Sequence, residues 1–197
     1  SVGMVSHVSR VRWAASGFDK DIRQVTVLAE ISFGLLYIFW DSALNSVTSW
    51  PLYMRIVRSL RHPPTGARGA AVAIGNFDGV HRGHRAVVEA AVKAAAELSI
   101  PPAVLTFEPH PRTLFQPDVP PFRLTPLRTK AVHLREAGIE ILYLARFDRA
   151  FSALSAEEFV RVVLVGGIAT RHVVAGYDFV FGRGGGGDAE LLERLAK

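Results

Sequence analysis

The chain has 197 residues, 49% of them hydrophobic and 21% charged, which excludes a disordered polyelectrolyte and leaves room for one domain with a real core. It contains no cysteine, which removes disulfides, thiolate metal sites and cysteine nucleophiles together and fits a reducing, cytoplasmic setting. The net charge of +5 favours anionic partners, yet the basic residues are scattered and never run to five; small phosphate-bearing ligands are expected, not nucleic acid or a membrane surface.

Residues 1–53 read apart from the rest. The stretch "ISFGLLYIFW" (31–40) is strongly apolar but bounded by Glu30 and Asp41, and ten residues fall short of the ~20 needed to span a bilayer. It lies too far into the chain for a signal peptide, and the chain opens on Ser1. The reading is an extension, disordered or the product of a misplaced start, ahead of a main domain over 54–197.

A regular rhythm follows. "GAAVAIGNF" (69–77) predicts a buried strand ending at Ile74, and "HRGHRAVVEAAVKAAAELSI" (81–100) a helix. "PPAVLTF" (101–107) is a second strand, and "TPLRTKAVHLREAG" (125–138) a helix closed by Gly138. "IEILYLARF" (139–147) is a third strand, and "SALSAEEFVRVVLV" (152–165) a helix in which Ser155 and Glu158 are spaced as a capping box. "RHVVAGYDFVF" (171–181) is a fourth strand, and "DAELLERLAK" (188–197) a last helix. Strands alternating with helices predict an α/β domain with a doubly wound parallel sheet covered on both faces. Such sheets take ligands beyond the carboxyl ends of their strands.

"GNFDGVHRGH" (75–84) sits at such an end. Gly75 permits a tight exit, and a helix starting near His81 directs free N–H groups and its positive dipole end at the crevice. His81 and His84, at i and i+3, share a face, with Gly83 leaving the surface between them open to a phosphate. Two imidazoles at a helix N-terminus can stabilise charge developing on phosphorus. The plainer alternative is a histidine pair decorating an ordinary loop.

In "TFEPHPR" (106–112), Phe107 ends a strand where it can stack on a flat ring, and Pro109 and Pro111 fix an extended loop that holds His110 and Arg112 towards an anion. The alternative is a rigid surface loop. Arg123, Thr125 and Lys130 stand where they can meet a phosphate, although for Lys130 a solvated helix residue is the preferred reading. Gly182 to Gly187 satisfy GxGxxG, but the acidic residue that fingerprint needs ~20 positions on is not in the chain. A zinc site from His81, His84, His110 and Glu108 is set aside, because the HxxH pair lacks the adjacent glutamate of a zincin helix; no metal ligands are assigned.

"GNFDGVHRGH" resembles the (G/N)xFDxxHxGH signature of the nucleotidyltransferase superfamily. With "TFEPHPR", "RLTPLRTK" (123–130), "FDRAFSALSAEEFV" (147–160) and "GYDFVFGRGGGGD" (176–188) in order, residues 54–197 resemble the FMN adenylyltransferase module of bacterial bifunctional riboflavin kinase/FMN adenylyltransferases, the FAD synthetases. The resemblance implies the Rossmann-like form of the fold, incomplete at the C-terminus, and transfer of AMP from ATP, with Mg²⁺, to FMN, giving FAD and pyrophosphate. It implies His81 and His84 as catalytic residues. It places nucleotide against Gly75, Phe77, Asp78, Gly83, Asp178, Phe179 and Gly182, with Asp78 organising the loop as a second role. Flavin falls to Phe107, His110, Arg112, Arg123, Thr125 and Phe151.

Two departures from the family stand out. Four successive glycines replace a loop usually richer in basic and polar residues. The chain also stops at Lys197, before the family's second nucleotide signature and the riboflavin kinase domain expected downstream. Two rivals follow: a fragment that binds flavin or nucleotide without turnover, and another HxGH enzyme such as a pantetheine-phosphate adenylyltransferase, which would not need "TFEPHPR" or "FSALSAEEF".

Overall fold

The computed structural model describes residues 8–10, 24–28, 53–116, 118 and 124–195. Seven strands among them form one sheet: β1 (Val8–Arg10), β2 (Gln24–Leu28), β3 (Arg55–Val57), β4 (Ala71–Ile74), β5 (Pro102–Glu108), β6 (Ile141–Arg146) and β7 (His172–Gly176), in the order β1-β2-β7-β4-β5-β6-β3. From β2 to β3 every pairing is parallel, and only β1 runs antiparallel to its neighbour.

The central strands read as continuous apolar runs because both of their faces are covered. Successive side chains point to opposite sides. Val72, Ile74, Leu105, Phe107, Val173 and Ala175 face one core, shared with Phe159, Val163 and Leu164. Ala73, Val104, Leu142 and Val174 face the other, built with Val87, Val88 and Ala91 of α1 (Arg82–Leu98) and Leu134 of α3 (Leu127–Glu136). The doubly wound arrangement expected from the sequence is therefore present.

Several boundaries differ from the sequence expectations, each for a local reason. β7 ends at Gly176, and a turn at Tyr177 and Asp178 follows, so the predicted strand over 171–181 is shorter than its apolar pattern. Pro111, instead of extending its loop, opens a short helix α2 (Pro111–Phe115), a position that proline's fixed φ favours. The predicted helix over 152–165 divides into α4 (Arg149–Ser152), α5 (Ala156–Glu158) and a π-helical stretch, Phe159–Gly167, with the expected capping box at Ser155 and Glu158 complete in both directions. Strands β1, β2 and β3 were not anticipated. α6 (Ala189–Leu195) follows the last loop.

The chain moves outward from β4 through β5 to β6, then returns through the π-helical stretch to β7 on the other side of β4. Strand order thus reverses between β4 and β7. In such sheets a ligand crevice opens beyond the carboxyl ends of the strands at that reversal. The loops that flank it are the one after β4, which carries "GNFDGVHRGH", and the one after β7, which carries "YDFVFGRGGGGD".

Candidate active site

The loop after β4 is held tightly. Gly75 N–H donates to the Leu105 carbonyl at 3.2 Å. Phe77 adopts a left-handed φ of 50° and is 1% exposed, its ring beneath the loop. A side chain at position 75 would meet that ring at 3.3 Å, which is why glycine stands there. Phe77, expected on the nucleotide side, is thus buried under the loop that carries His81 and His84.

Asp78 caps a second segment. Its carboxylate accepts from the backbone N–H groups of Leu124 at 3.0 Å and Thr125 at 2.9 Å. Thr125 Oγ1 accepts from Gly79 N–H at 2.9 Å. Burial raises the Asp78 pKa, but the two backbone donors, Lys130 and His110 outweigh it and leave the carboxyl below its ordinary 3.8. The loop-organising role is the one this geometry displays. Thr125 is buried beneath the loop with its hydroxyl engaged, and Arg123 lies outside the described residues.

His81 is the N-cap of α1, its Nδ1 accepting from His84 N–H at 3.4 Å. The two imidazoles stack with centroids 3.6 Å apart and planes 20° from parallel. A Cβ on Gly83 would meet the His81 ring at 3.3 Å, so the space over Gly83 holds that imidazole. His84 lies half-buried, 5.2 Å from the Phe77 ring, and its Nδ1 is buried with no hydrogen-bond partner among the described residues. Burial, then the nearby charges of His81 and Lys130, lower its pKa to about 4 against the opposing pull of Asp78 and Asp178. His84 is therefore a neutral imidazole at pH 7.

His110 caps α2, with Nδ1 accepting from Arg112 N–H at 3.2 Å, while Arg112 Nε donates to Gln116 Oε1 at 2.7 Å. Burial chiefly lowers the His110 pKa, and Asp78 opposes it, which places this imidazole within electrostatic reach of the first loop. Beside it runs a row of aromatic rings. Phe107 meets Phe147 at 5.9 Å and Phe151 at 6.0 Å, Phe147 meets Phe115 at 5.9 Å, and Phe151 continues to Phe159, Phe181 and Phe179. The sequence reading named Phe107, Phe151 and Phe179. It passed over Phe115 and Phe147, although four phenylalanines within "TFEPHPRTLF" and "RFDRAF" flank the same strand ends.

Across the reversal, Asp178 is exposed in the turn after β7, near enough to raise the His84 pKa. The glycine loop is anchored at its base: Phe181 and Gly187 exchange backbone hydrogen bonds at 2.8 Å, and Arg183 N–H donates to the Leu154 carbonyl at 2.7 Å. Gly182 has φ +75° and packs so closely on Ala156 that a Cβ would lie 2.6 Å from its nitrogen. Among the described residues, no group of three His, Cys, Asp or Glu side chains is placed to hold a metal ion, and no helix is long and apolar enough to cross a membrane.

The family model described as FAD synthetase matches residues 64–197. The chain belongs to the FAD synthetase family. Bifunctional riboflavin kinase/FMN adenylyltransferase from Escherichia coli K12 is 39% identical over 142 residues, covering 72% of this chain and 45% of that protein. The protein of the same name from Pseudomonas fluorescens is 41% identical over 140 residues, covering 71% and 45%, and that from Bacillus subtilis 39% over 124 residues, covering 62% and 39%. The chain thus spans less than half the length of these relatives. A solved structure titled as a macrolide-efflux protein from Streptococcus pneumoniae superposes with a TM-score of 0.63 at 28% identity, over 72% of this chain and 46% of that one. Its contribution is the shared fold. The FAD synthetase match takes in every candidate site residue named above.

Proposed function

We propose that this domain is an FMN adenylyltransferase: it binds ATP and FMN and transfers AMP to FMN, giving FAD and pyrophosphate. The observation that carries this reading is the stacked His81–His84 pair at the start of α1, at the point of strand reversal and beside a row of phenylalanines. An oxygen of the FMN phosphate attacks the α-phosphorus of ATP in line, the bond from that phosphorus to the bridging oxygen breaks, and pyrophosphate leaves with the electron pair. No covalent enzyme intermediate is required. Positioning and charge stabilisation do the catalysis, as in phosphoryl transfer generally.

In this reading His81 and His84 donate hydrogen bonds to phosphate oxygens as charge builds there, with the N-terminus of α1 adding its dipole. Mg²⁺ arrives with ATP. Gly75, Phe77, Asp78 and Gly83 shape the nucleotide side, and Asp178, Phe179 and Gly182 close it. Phe107, His110, Arg112, Arg123, Thr125 and Phe151 serve the flavin side, Thr125 by holding the loop. The names of the longer relatives favour FMN over pantetheine phosphate as acceptor, and extend the proposal to a riboflavin kinase module in the complete, cytoplasmic protein. Residues 1–53 are proposed to be an addition ahead of the family domain, as the match from residue 64 supports, with β1 and β2 extending the sheet edge beside β7.

The test is to incubate the chain with FMN and Mg-ATP and to follow FAD by chromatography. FAD and stoichiometric pyrophosphate are expected. Flavin binding, read as quenched FMN fluorescence, without FAD would replace this reading with that of a binding fragment.

A further inference from the structure

A lysine ammonium is costly to bury unless something receives its charge. Lys130, on the inner face of α3, is 3% exposed, although its neighbours along the helix read as a solvated surface. Its Nζ donates to the backbone carbonyl of Asn76 at 2.7 Å and lies 3.7 Å from a Glu108 carboxylate oxygen. The Asn76 carbonyl also accepts from the Thr106 hydroxyl at 3.0 Å. Donors from α3 and from β5 therefore converge on one carbonyl in the first turn out of β4, immediately ahead of Asp78, His81 and His84.

The shorter contact decides what the ammonium is for. The ammonium does not serve Glu108 alone: its 2.7 Å bond to the Asn76 carbonyl is a full hydrogen bond, where the 3.7 Å approach to Glu108 Oε1 is a looser ion pair. The residue it holds carries a second signal: the side-chain oxygen of Asn76 is buried with no hydrogen-bond partner among the described residues. The same positive charge lies within reach of His84, His110 and Asp78, and in each case pushes towards the less protonated form.

We propose that Lys130 is a positioning residue of the transfer site: it pins the Asn76 carbonyl so that the loop after β4 keeps its shape under the phosphates, and it fixes a positive charge beneath His84. The proposal rests on the adenylyl-transfer reading for its effect on rate, and on the bond from Lys130 to the Asn76 carbonyl for its hold on the loop, with the pull of its charge on His84 beside that bond. Lys130 itself does not touch the reacting atoms. A compact point charge suits this task better than the broad, planar guanidinium of arginine.

The experiment compares the wild-type chain with Lys130→Met and Lys130→Arg. FAD formation from FMN and Mg-ATP gives kcat and both KM values, and an NMR titration gives the midpoint of the His84 imidazole. His84 is also faced by His81, Asp78 and Asp178, which all three proteins share. Lys130→Met is expected to lower kcat about tenfold or more with little change in either KM, as for a misplaced catalytic loop, and to raise the His84 midpoint. Lys130→Arg is expected to keep the low midpoint and recover part of the rate. An unmoved midpoint in Lys130→Met overturns the proposal, as does an unchanged kcat in a wild-type chain that makes FAD. If the wild-type chain makes no FAD, the reaction assignment fails and the His84 midpoint alone decides on Lys130. If Lys130→Met does not fold, the wild-type chain decides: protected ammonium protons coupled to the Asn76 carbonyl support the proposal, and a freely exchanging ammonium overturns it.

Discussion

Asp78 and Thr125 are bonded across the site in both directions: the Asp78 carboxylate accepts from Thr125 N–H at 2.9 Å, and Thr125 Oγ1 accepts from the N–H of Gly79, the neighbour of Asp78, at 2.9 Å. Forty-six residues of chain separate the partners of the second bond, so the clasp ties the loop after β4 to the start of α3. A carboxylate accepting two backbone N–H groups makes charge-assisted bonds, stronger than neutral ones. Asp78→Ala is expected to lower stability by about 2 kcal/mol and Thr125→Val by about 1 kcal/mol in urea denaturation. The depressed Asp78 pKa means that its contribution is whole above pH 3.8 and is lost as pH falls through the lower folded value. Equal losses in the two variants would show that the charge adds nothing.

On the adenylyl-transfer reading His84 acts as a neutral imidazole, because burial and neighbouring charge hold its pKa near 4. A neutral donor can be imitated by an amide. His84→Ala is expected to cut FAD formation by about 10²-fold, as for loss of a preorganised donor, whereas His84→Gln should recover part of that loss. The acid limb that His84 contributes to kcat/KM should lie near pH 4. A limb near 6.5 that His84→Gln removes would mean that the working form is the imidazolium.

Much of this was legible in the residues themselves. The pairing of "GNFDGVHRGH" with the end of a buried strand follows from apolar periodicity, and the Ser155–Glu158 box from its three-residue spacing. β3 was not, because three residues containing an arginine leave no period to detect. Lys130 was misjudged for a physical reason: a lysine on an amphipathic helix reads as solvated, and its partner Asn76 lies 54 positions away. Thr125 reads from sequence as a phosphate contact beside Arg123 and Lys130, an expectation its structural role neither requires nor removes. The bond its hydroxyl accepts from the backbone N–H of Gly79, 46 positions away, has no local signature.

His172 opens β7 and is 2% exposed, and burial lowers its pKa to about 4. The unfolded chain, with an ordinary value of 6.5, binds a proton there more readily than the folded one. Stability is therefore complete above about pH 6.5, declines as pH falls through the interval, and is fully lost for this group below about 4. The loss from His172 amounts to roughly 3 kcal/mol at most, with a smaller share from the more exposed His84. Urea midpoints measured from pH 7.5 to 4 should fall less steeply in His172→Leu than in the wild type. Parallel curves would reject His172 as a source of the acid sensitivity.

Gly182 and Gly184 both have positive φ, +75° and +66°, yet their surroundings differ. A Cβ on Gly182 would lie 2.6 Å from the backbone nitrogen of Ala156 and 2.7 Å from its Cα, atoms fixed by the capping box at the start of α5. Around Gly184 nothing lies within 4 Å. Gly184→Ala therefore incurs only the left-handed backbone penalty, about 1 kcal/mol, and Gly184→Asn less still. Gly182→Ala adds a clash with backbone that cannot yield, so the loop base must lift and break the 2.7 Å bond from Arg183 N–H to Leu154. Its cost is expected to exceed that of Gly184→Ala by about 2 kcal/mol, strain of the size stored at forced backbone positions. The KM for ATP should rise in Gly182→Ala and stay near wild type in Gly184→Ala, because only the first displaces the cover that flanks the crevice. Similar melting curves and KM values for the two variants would show that the base of the loop is not anchored as described.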